Sequence, residues 1–350
     1  MSLSPFEHPF LGGLFADADI TALFSAEADV AAMLRFEVEL AEAQAACGII
    51  SPEDAARIGE ALATTVIDYA SLREGVSKDG VVIPDFVRQL RLAVGEQAAT
   101  KVHFGATSQD VIDTSLMLRL KAATAIIIAR LSSCVSGLQD ITSRDGANPL
   151  MGYTRMQAAI PMTVADRVAS WQQPLSRHRD KLVDISDRGF AVQFGGAAGT
   201  LEKFGDKGAA VRAELAKRLG LVDTAQWQSQ RDAVADLGHC LALITGSLGK
   251  LGQDVALLAE MGKEIRLAGG GGSSAMPHKQ NPVVAETLVT LARFNAVQVS
   301  ALHHSMVHEQ ERSGAAWMLE WLVLPQMVVA TGSALLLAER LIGQIEHLGT

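Results

Sequence analysis

Aromatic side chains are scarce in this sequence: they make up 5% of 350 residues, with two tyrosines among them. Strands draw heavily on aromatic and β-branched residues, and alternating apolar–polar runs are few here, so a sheet protein is excluded. Cysteine is nearly absent. Cys47, Cys134 and Cys240 lie far apart and fit no CxxC pattern, which argues against a disulfide framework or a zinc site. Cys134 and Cys240 sit in apolar periodic stretches and read as buried, inert thiols. Basic charge is in deficit, 30 Lys and Arg against 39 Asp and Glu, for a net charge of -9. Nucleic-acid binding leans on a basic footprint, so it is not expected; an anionic small molecule needs only a local cluster of donors. Met1–Phe10 lacks a basic segment followed by an apolar core, so no signal peptide is expected and the cytoplasm is the expected location. Trp321–Ala338 carries no charge, but Pro325, Gln326, Thr331, Gly332 and Ser333 interrupt it. It reads as a buried helix of a large bundle and not as a membrane span.

What is plentiful is helical periodicity. Hydrophobic residues make up 49% and charged residues 20%, enough for a packed core. Val234, Leu237, Leu241, Ile244, Leu248, Leu251, Val255 and Leu258 alternate steps of three and four, a coiled-coil-like seam. Ile112, Leu116, Leu120, Ala123, Ile127, Leu131, Cys134, Leu138 and Ile141 form a second. The expectation is an all-α protein with five long helices, near Ser108–Arg144, Pro161–Arg188, Arg231–Ile265, Pro282–Glu311 and Ala316–Leu348. A helix of some 35 residues is about 50 Å long, which outruns a small globule and calls for bundling, often between subunits. A region of shorter helices precedes this body, with Ala26–Ala46 and Pro52–Tyr69 as members and Ser51 as N-cap of the latter. The boundary is placed near Lys101, giving an N-terminal region 1–101 and a bundle 102–350. Asp145–Ala159, Phe190–Gln230 and Ala268–Asn281 are expected to be connections.

Four motifs hold residues suited to chemistry. Gly269–Pro282, GGGGSSAMPHKQNP, joins four conformationally free glycines to two hydroxyls, Ser273 and Ser274, an ammonium, Lys279, and an amide, Asn281. Such a set suits an anion with a reacting carbon beside it, and no GK[ST] follows the glycines, so a P-loop is disfavoured. His103–Thr114, HFGATSQDVIDT, places Thr107 and Ser108 where the first long helix begins, with Ser108 as the expected N-cap. The N–H groups there attract a carboxylate, and His103 is suited to carry a proton or bind one; simple capping with a surface histidine is the competing reading. Gly152–Thr163, GYTRMQAAIPMT, offers Thr154, Arg155 and Gln157 as donors ahead of a helix opening at Pro161, or a plain surface charge at Arg155. His308–Arg312, HEQER, sets His308 and Arg312 four apart on one expected helical face. It lacks the second histidine of a metal pair and reads equally as a solvated ion-pair face.

Taken together, these motifs resemble the fumarase–aspartase superfamily. Gly272–Pro282, GSSAMPHKQNP, fits its long signature GSSxMPxKxNP at every fixed position, HFGATSQDVIDT and GYTRMQAAIPMT resemble its first two blocks, and Gly195–Thr200, GGAAGT, a further segment. Within it, Leu34–Ser51 and His308–Trp321 resemble the bacterial 3-carboxy-cis,cis-muconate cycloisomerases, with adenylosuccinate lyases next. The resemblance implies a homotetramer whose core is built from the long helices of four subunits, with each active site drawing on three chains. It implies lactonisation of a muconate polycarboxylate in aromatic catabolism, with no metal or other cofactor. Ser273 matches the catalytic serine, the base in eliminating members and the acid in the lactonising direction, helped by Lys279. His103 joins them as a catalytic candidate, while Thr107, Ser108, Thr154, Arg155, Gln157, Ser274, Asn281 and Arg312 would bind substrate. The second block normally carries a histidine after the threonine; Arg155 stands there instead, a permanent cation suited to clamping a tricarboxylate or a sulfonated analogue such as 3-sulfomuconate. Adenylosuccinate or argininosuccinate lyase activity and a non-catalytic, crystallin-like role are the other outcomes the superfamily allows. The small C-terminal domain of longer members is expected to be absent, because the chain ends just after the fifth long helix.

Overall fold

The computed structural model describes residues 4–272, 276 and 280–350. Ser273, Ser274 and Lys279, three of the candidate site residues, therefore lie outside the described residues.

Helices dominate. Among the described residues six α-helices precede the bundle: α1 Gly12–Phe15, α2 Ala18–Ala22, α3 Ala26–Ala46, α4 Pro52–Thr64, α5 Tyr69–Asp79 and α6 Ile83–Val94. The long ones are α7 Ser108–Asp145, α8 Val164–Arg188, α10 Asp232–Met261, α11 Val283–His304 and α12 Gly314–Gln344, with a shorter α9 at Gly208–Leu219. α10 packs along α8, α11 and α12, and α7 packs against α3, α8 and α12. Every member of the Val234–Leu258 seam is buried, as is every member of the α7 seam except half-buried Ile112. The apolar run in α12 is long enough to cross a membrane by composition, yet 67% of it is buried inside the protein, mostly against α7, α10 and α11.

The structure corrects several boundaries, each for a local reason. The second block does not lead straight into a helix at Pro161: Pro149–Thr154 (β1) and Gln157–Thr163 (β2) form an antiparallel hairpin. Its two-residue turn is Arg155–Met156, with φ of 48° and 64°, the signs a type I′ turn requires. Pro161 is tolerated because a two-stranded ribbon is all edge. α8 starts at Val164, where Thr163 accepts from the Asp166 N–H and Asp166 accepts from the Thr163 N–H. Thr107, not Ser108, is the N-cap of α7: it is extended (φ -131°) and its N–H donates to Asp110 Oδ2 at 3.0 Å. α4 ends at Thr64, short of Tyr69. α10 stops at Met261 because Gly262 turns left-handed (φ 68°), and Ile265–Leu267 (β3) pairs with Ile345–Leu348 (β4), so α12 also ends early, at Gln344. α11 ends at His304 and His308–Arg312 is a turn, with Gln310 at φ 50°; His308 and Arg312 do not share a helical face. The Phe190–Gln230 connection contains α9, whose Val211, Leu215 and Leu219 were readable as a helical stripe closed by Gly220.

Candidate active site

The candidate residues that are described fall at two opposite ends of the bundle. α7 has 38 residues, so at about 1.5 Å each its ends are about 57 Å apart. Thr107 and Ser108 sit at its start, and the hairpin carrying Thr154, Arg155 and Gln157 follows its end. α12 repeats the arrangement over 31 residues, about 46 Å. Arg312 lies just before its start, whereas Gln344, its last residue, accepts from the Ala268 N–H at the root of the glycine segment. There Gly271 and Asn281 exchange backbone hydrogen bonds of 2.8 Å.

At the first end, four segments meet. His103, held at φ 62°, places Nδ1 2.6 Å from Oε1 of Glu37, a carboxylate buried on α3. That contact puts the proton of a neutral imidazole on Nδ1 and leaves Nε2 with its lone pair, ready to accept or return a proton. Asp110, fully buried in the first turn of α7, accepts from the N–H groups of Thr107, Gly195 and Gly196 and from Gln193 Nε2, all at 2.9–3.0 Å. Burial pushes its carboxyl up to about 6, against the pull of those hydrogen bonds. Gly196 and Gly199 adopt φ of 71° and 86°, which lets the Gly195–Thr200 turn bring its backbone onto Asp110. Arg312 reaches the same place: its Nε donates to Gln109 Oε1 at 2.9 Å and its Nη2 to the Ala197 carbonyl at 3.4 Å.

Beneath this surface lies a fully buried ion cluster. Arg231 donates through Nη1 and Nη2 to Asp113 at 2.6 and 3.1 Å and through Nε and Nη2 to Glu320 at 2.8 and 2.5 Å. Trp317 Nε1 adds a third bond to Asp113, at 3.0 Å, and the Trp227 ring stacks 4.7 Å from the guanidinium. Burial holds the Glu320 carboxyl above its ordinary value, and Arg231 pulls it back. The cluster joins α7, α10 and α12 at this end.

At the second end, Arg155 sits at the hairpin tip on a groove of about 910 Å³ between the hairpin, α8 and α10, where Arg167 and Lys250 also lie. Asn281 donates from Nδ2 to the Gly272 carbonyl at 3.4 Å. Among the described residues, no three His, Cys, Asp or Glu side chains are grouped to hold a metal ion.

A family model described as lyase matches residues 16–298. The chain belongs to this lyase family, within the fumarase–aspartase superfamily. The 3-carboxy-cis,cis-muconate cycloisomerase of Acinetobacter baylyi is 37% identical to this lyase-family chain over 333 residues, 92% of the chain and 74% of that protein. The N-acetyl-S-(2-succino)cysteine lyase of Enterococcus italicus is 32% identical, covering 89% of the chain and 70% of the relative. The crystal structure of the 3-carboxy-cis,cis-muconate lactonizing enzyme from Pseudomonas putida superposes with a TM-score of 0.90 at 33% identity, over 97% of this chain and 77% of that one.

The sequence reading missed Glu37, Gln109 and Asp110. Glu37 left a signal, a lone carboxylate on the stripe of Met33, Phe36 and Leu40 in α3. Gln109 and Asp110 stood inside the first motif without being given a role, and both are buried.

Proposed function

We propose that this chain is a 3-carboxy-cis,cis-muconate cycloisomerase, closing the substrate to its carboxymuconolactone in the cytoplasm. The observation that carries the reading is the 37% identity to the Acinetobacter cycloisomerase along 92% of the chain. In this reaction a carboxylate oxygen adds to the diene, charge grows on the conjugated carboxylate as an enediolate, and a proton reaches the adjacent carbon. Ser273 is the assigned proton donor. Lys279 and Asn281 are assigned to stabilise the growing charge and Ser274 to bind substrate, and this electrostatic stabilisation is the largest contribution. Thr107, Ser108 and Arg312 hold one further carboxylate, and Thr154, Arg155 and Gln157 another. Arg155, always charged, acts as a clamp and not a proton shuttle, which suits a tricarboxylate or a sulfonated muconate.

The reading also requires an assembly. A muconate is smaller than the roughly 50 Å separating the two ends of α7 or α12, so the ends of different chains must meet around it. A homotetramer with sites shared by three chains meets this need, and the apolar side chains left exposed on the long helices, Val297 on α11 and Leu322 on α12, support it.

Mixing the protein with 3-carboxy-cis,cis-muconate should remove the diene ultraviolet absorbance, equally with and without EDTA, and 3-sulfomuconate run in parallel ranks the two anions. No loss with either compound sinks the reading. The Enterococcus relative favours a second one, elimination of fumarate from a succinyl thioether, which fumarate absorbance would then detect.

Glu37 gives a further expectation. Glu37→Gln removes the carboxylate that orients His103 and should lower kcat by about tenfold with KM little changed. Unchanged kcat would remove His103 from the proton-transfer path.

A further inference from the structure

Gln109 is buried without exposure in the first turn of α7, and all of its hydrogen-bonding capacity toward the protein has a direction. Its Nε2 donates to Asp113 Oδ2 at 3.1 Å and to the Gln228 carbonyl at 2.7 Å, so both amide hydrogens are used on acceptors that cannot donate in return. This fixes which way the amide points. Oε1 must face the opposite way, and there it accepts from Arg312 Nε at 2.9 Å. Asp113 is itself immobilised by Arg231 and Trp317. A chain of fixed groups therefore runs from the buried ion cluster to an exposed guanidinium.

The consequence for Arg312 is geometric. One edge of its fork, Nε and Nη2, is taken up by Gln109 and the Ala197 carbonyl. The other edge, Nη1 with the second hydrogen of Nη2, has no partner among the described residues, and through Gln109 the guanidinium is held at the first turn of α7. Two parallel N–H groups in that position match a carboxylate. We propose that Gln109 is a positioning residue for the cycloisomerase reaction, holding Arg312 so that its free edge binds a substrate carboxylate that does not itself react. The inference rests on the function proposed above. A carboxylate held this way is bound equally in the ground and transition states, so the effect belongs in KM and not in kcat.

Gln109→Met keeps the volume and removes both the amide donors and the acceptor. It should raise KM for 3-carboxy-cis,cis-muconate about tenfold and leave kcat within about threefold, as loss of an ordered charge-assisted contact would. Arg312→Ala should raise KM at least as much, and the double variant should match Arg312→Ala alone, because Gln109 acts only through Arg312. A multiplicative double variant, or a Gln109→Met enzyme with wild-type KM, overturns the proposal. Arg312 is exposed, so Arg312→Lys tests the same point without risk to folding: one ammonium cannot donate to Gln109 and present a parallel pair, and its KM should rise like that of Arg312→Ala. Wild-type KM for Arg312→Lys overturns the proposal as well. If the wild-type protein leaves the muconate untouched, the proposed function falls, and a crystal structure of Gln109→Met still decides the positioning role. Arg312 scattered over several rotamers supports it; Arg312 unchanged overturns it.

Discussion

Ser273→Ala is expected to abolish lactonisation, lowering kcat by about 10²–10⁴-fold, the usual worth of a positioned acid or base. A serine hydroxyl is a weak acid, so its replacement by alanine tests whether the proton comes from there or from His103. Were His103 the donor, Ser273→Ala would cost only a hydrogen bond to the growing charge. The placement of the two candidates makes the test sharper. His103 is at the first end of the bundle, and Gly272, immediately before Ser273, is at the second, with helices of about 46–57 Å between the ends. The proposed site therefore calls for more than one chain. If the site is shared, Ser273→Ala and His103→Ala, each inactive alone, should regain activity when unfolded and refolded together, because hybrid assemblies hold sites with both side chains intact. Activity that stays absent in the mixture, with assembly shown by light scattering, would sink the shared site. Full activity in Ser273→Ala alone would sink the assigned acid.

The second large effect is on stability. Among the described residues Arg231 is the only cation in its cluster, and two buried carboxylates depend on it, Asp113 and Glu320, all three without exposed side-chain area. Arg231→Met leaves both charges in a medium that cannot solvate them, and should cost about 3–5 kcal/mol in urea unfolding at fixed protein concentration. Adding Glu320→Leu removes one stranded charge, while Asp113 keeps Trp317 Nε1 and Gln109 Nε2 as donors. The double variant should therefore recover part of the loss, so the two substitutions are not additive. An Arg231→Met protein within about 1 kcal/mol of wild type would mean that water enters the cluster or that the carboxylates protonate at little cost.

Much of the architecture was legible because helical periodicity is a local property. The seam from Val234 to Leu258 is one buried stripe of a single helix, and the spacing of its leucines needs no partner to be read. The first motif was legible as a helix start for the same reason, since capping residues act within one turn. Reading failed where a segment's state was set by residues far along the chain. Gln157–Thr163 carries no strong strand pattern; it is a strand because β1 lies opposite and Arg155–Met156 accept a left-handed turn. Ile345–Leu348 leaves the helix only because β3 offers a ladder about eighty residues earlier in the chain. The roles of Asp110 and Gln109 were not legible because their partners, Gly195, Gly196, Gln228 and Arg312, come from loops that no local pattern brings near.

The sequence by itself determined that this is a helical bundle of the fumarase–aspartase superfamily and which residue types its chemistry would use, because apolar periodicity and the GSSAMPHKQNP string are both written in consecutive residues. Only the tertiary structure decided that the first motif and the hairpin carrying Arg155 sit at opposite ends of α7, that Glu37 stands behind His103, and that a buried arginine cluster fixes Gln109 and through it Arg312. The reason is physical. A helix converts sequence distance into length at a fixed rise, but which side chains meet across the bundle depends on how the helices pack and on buried charges finding partners.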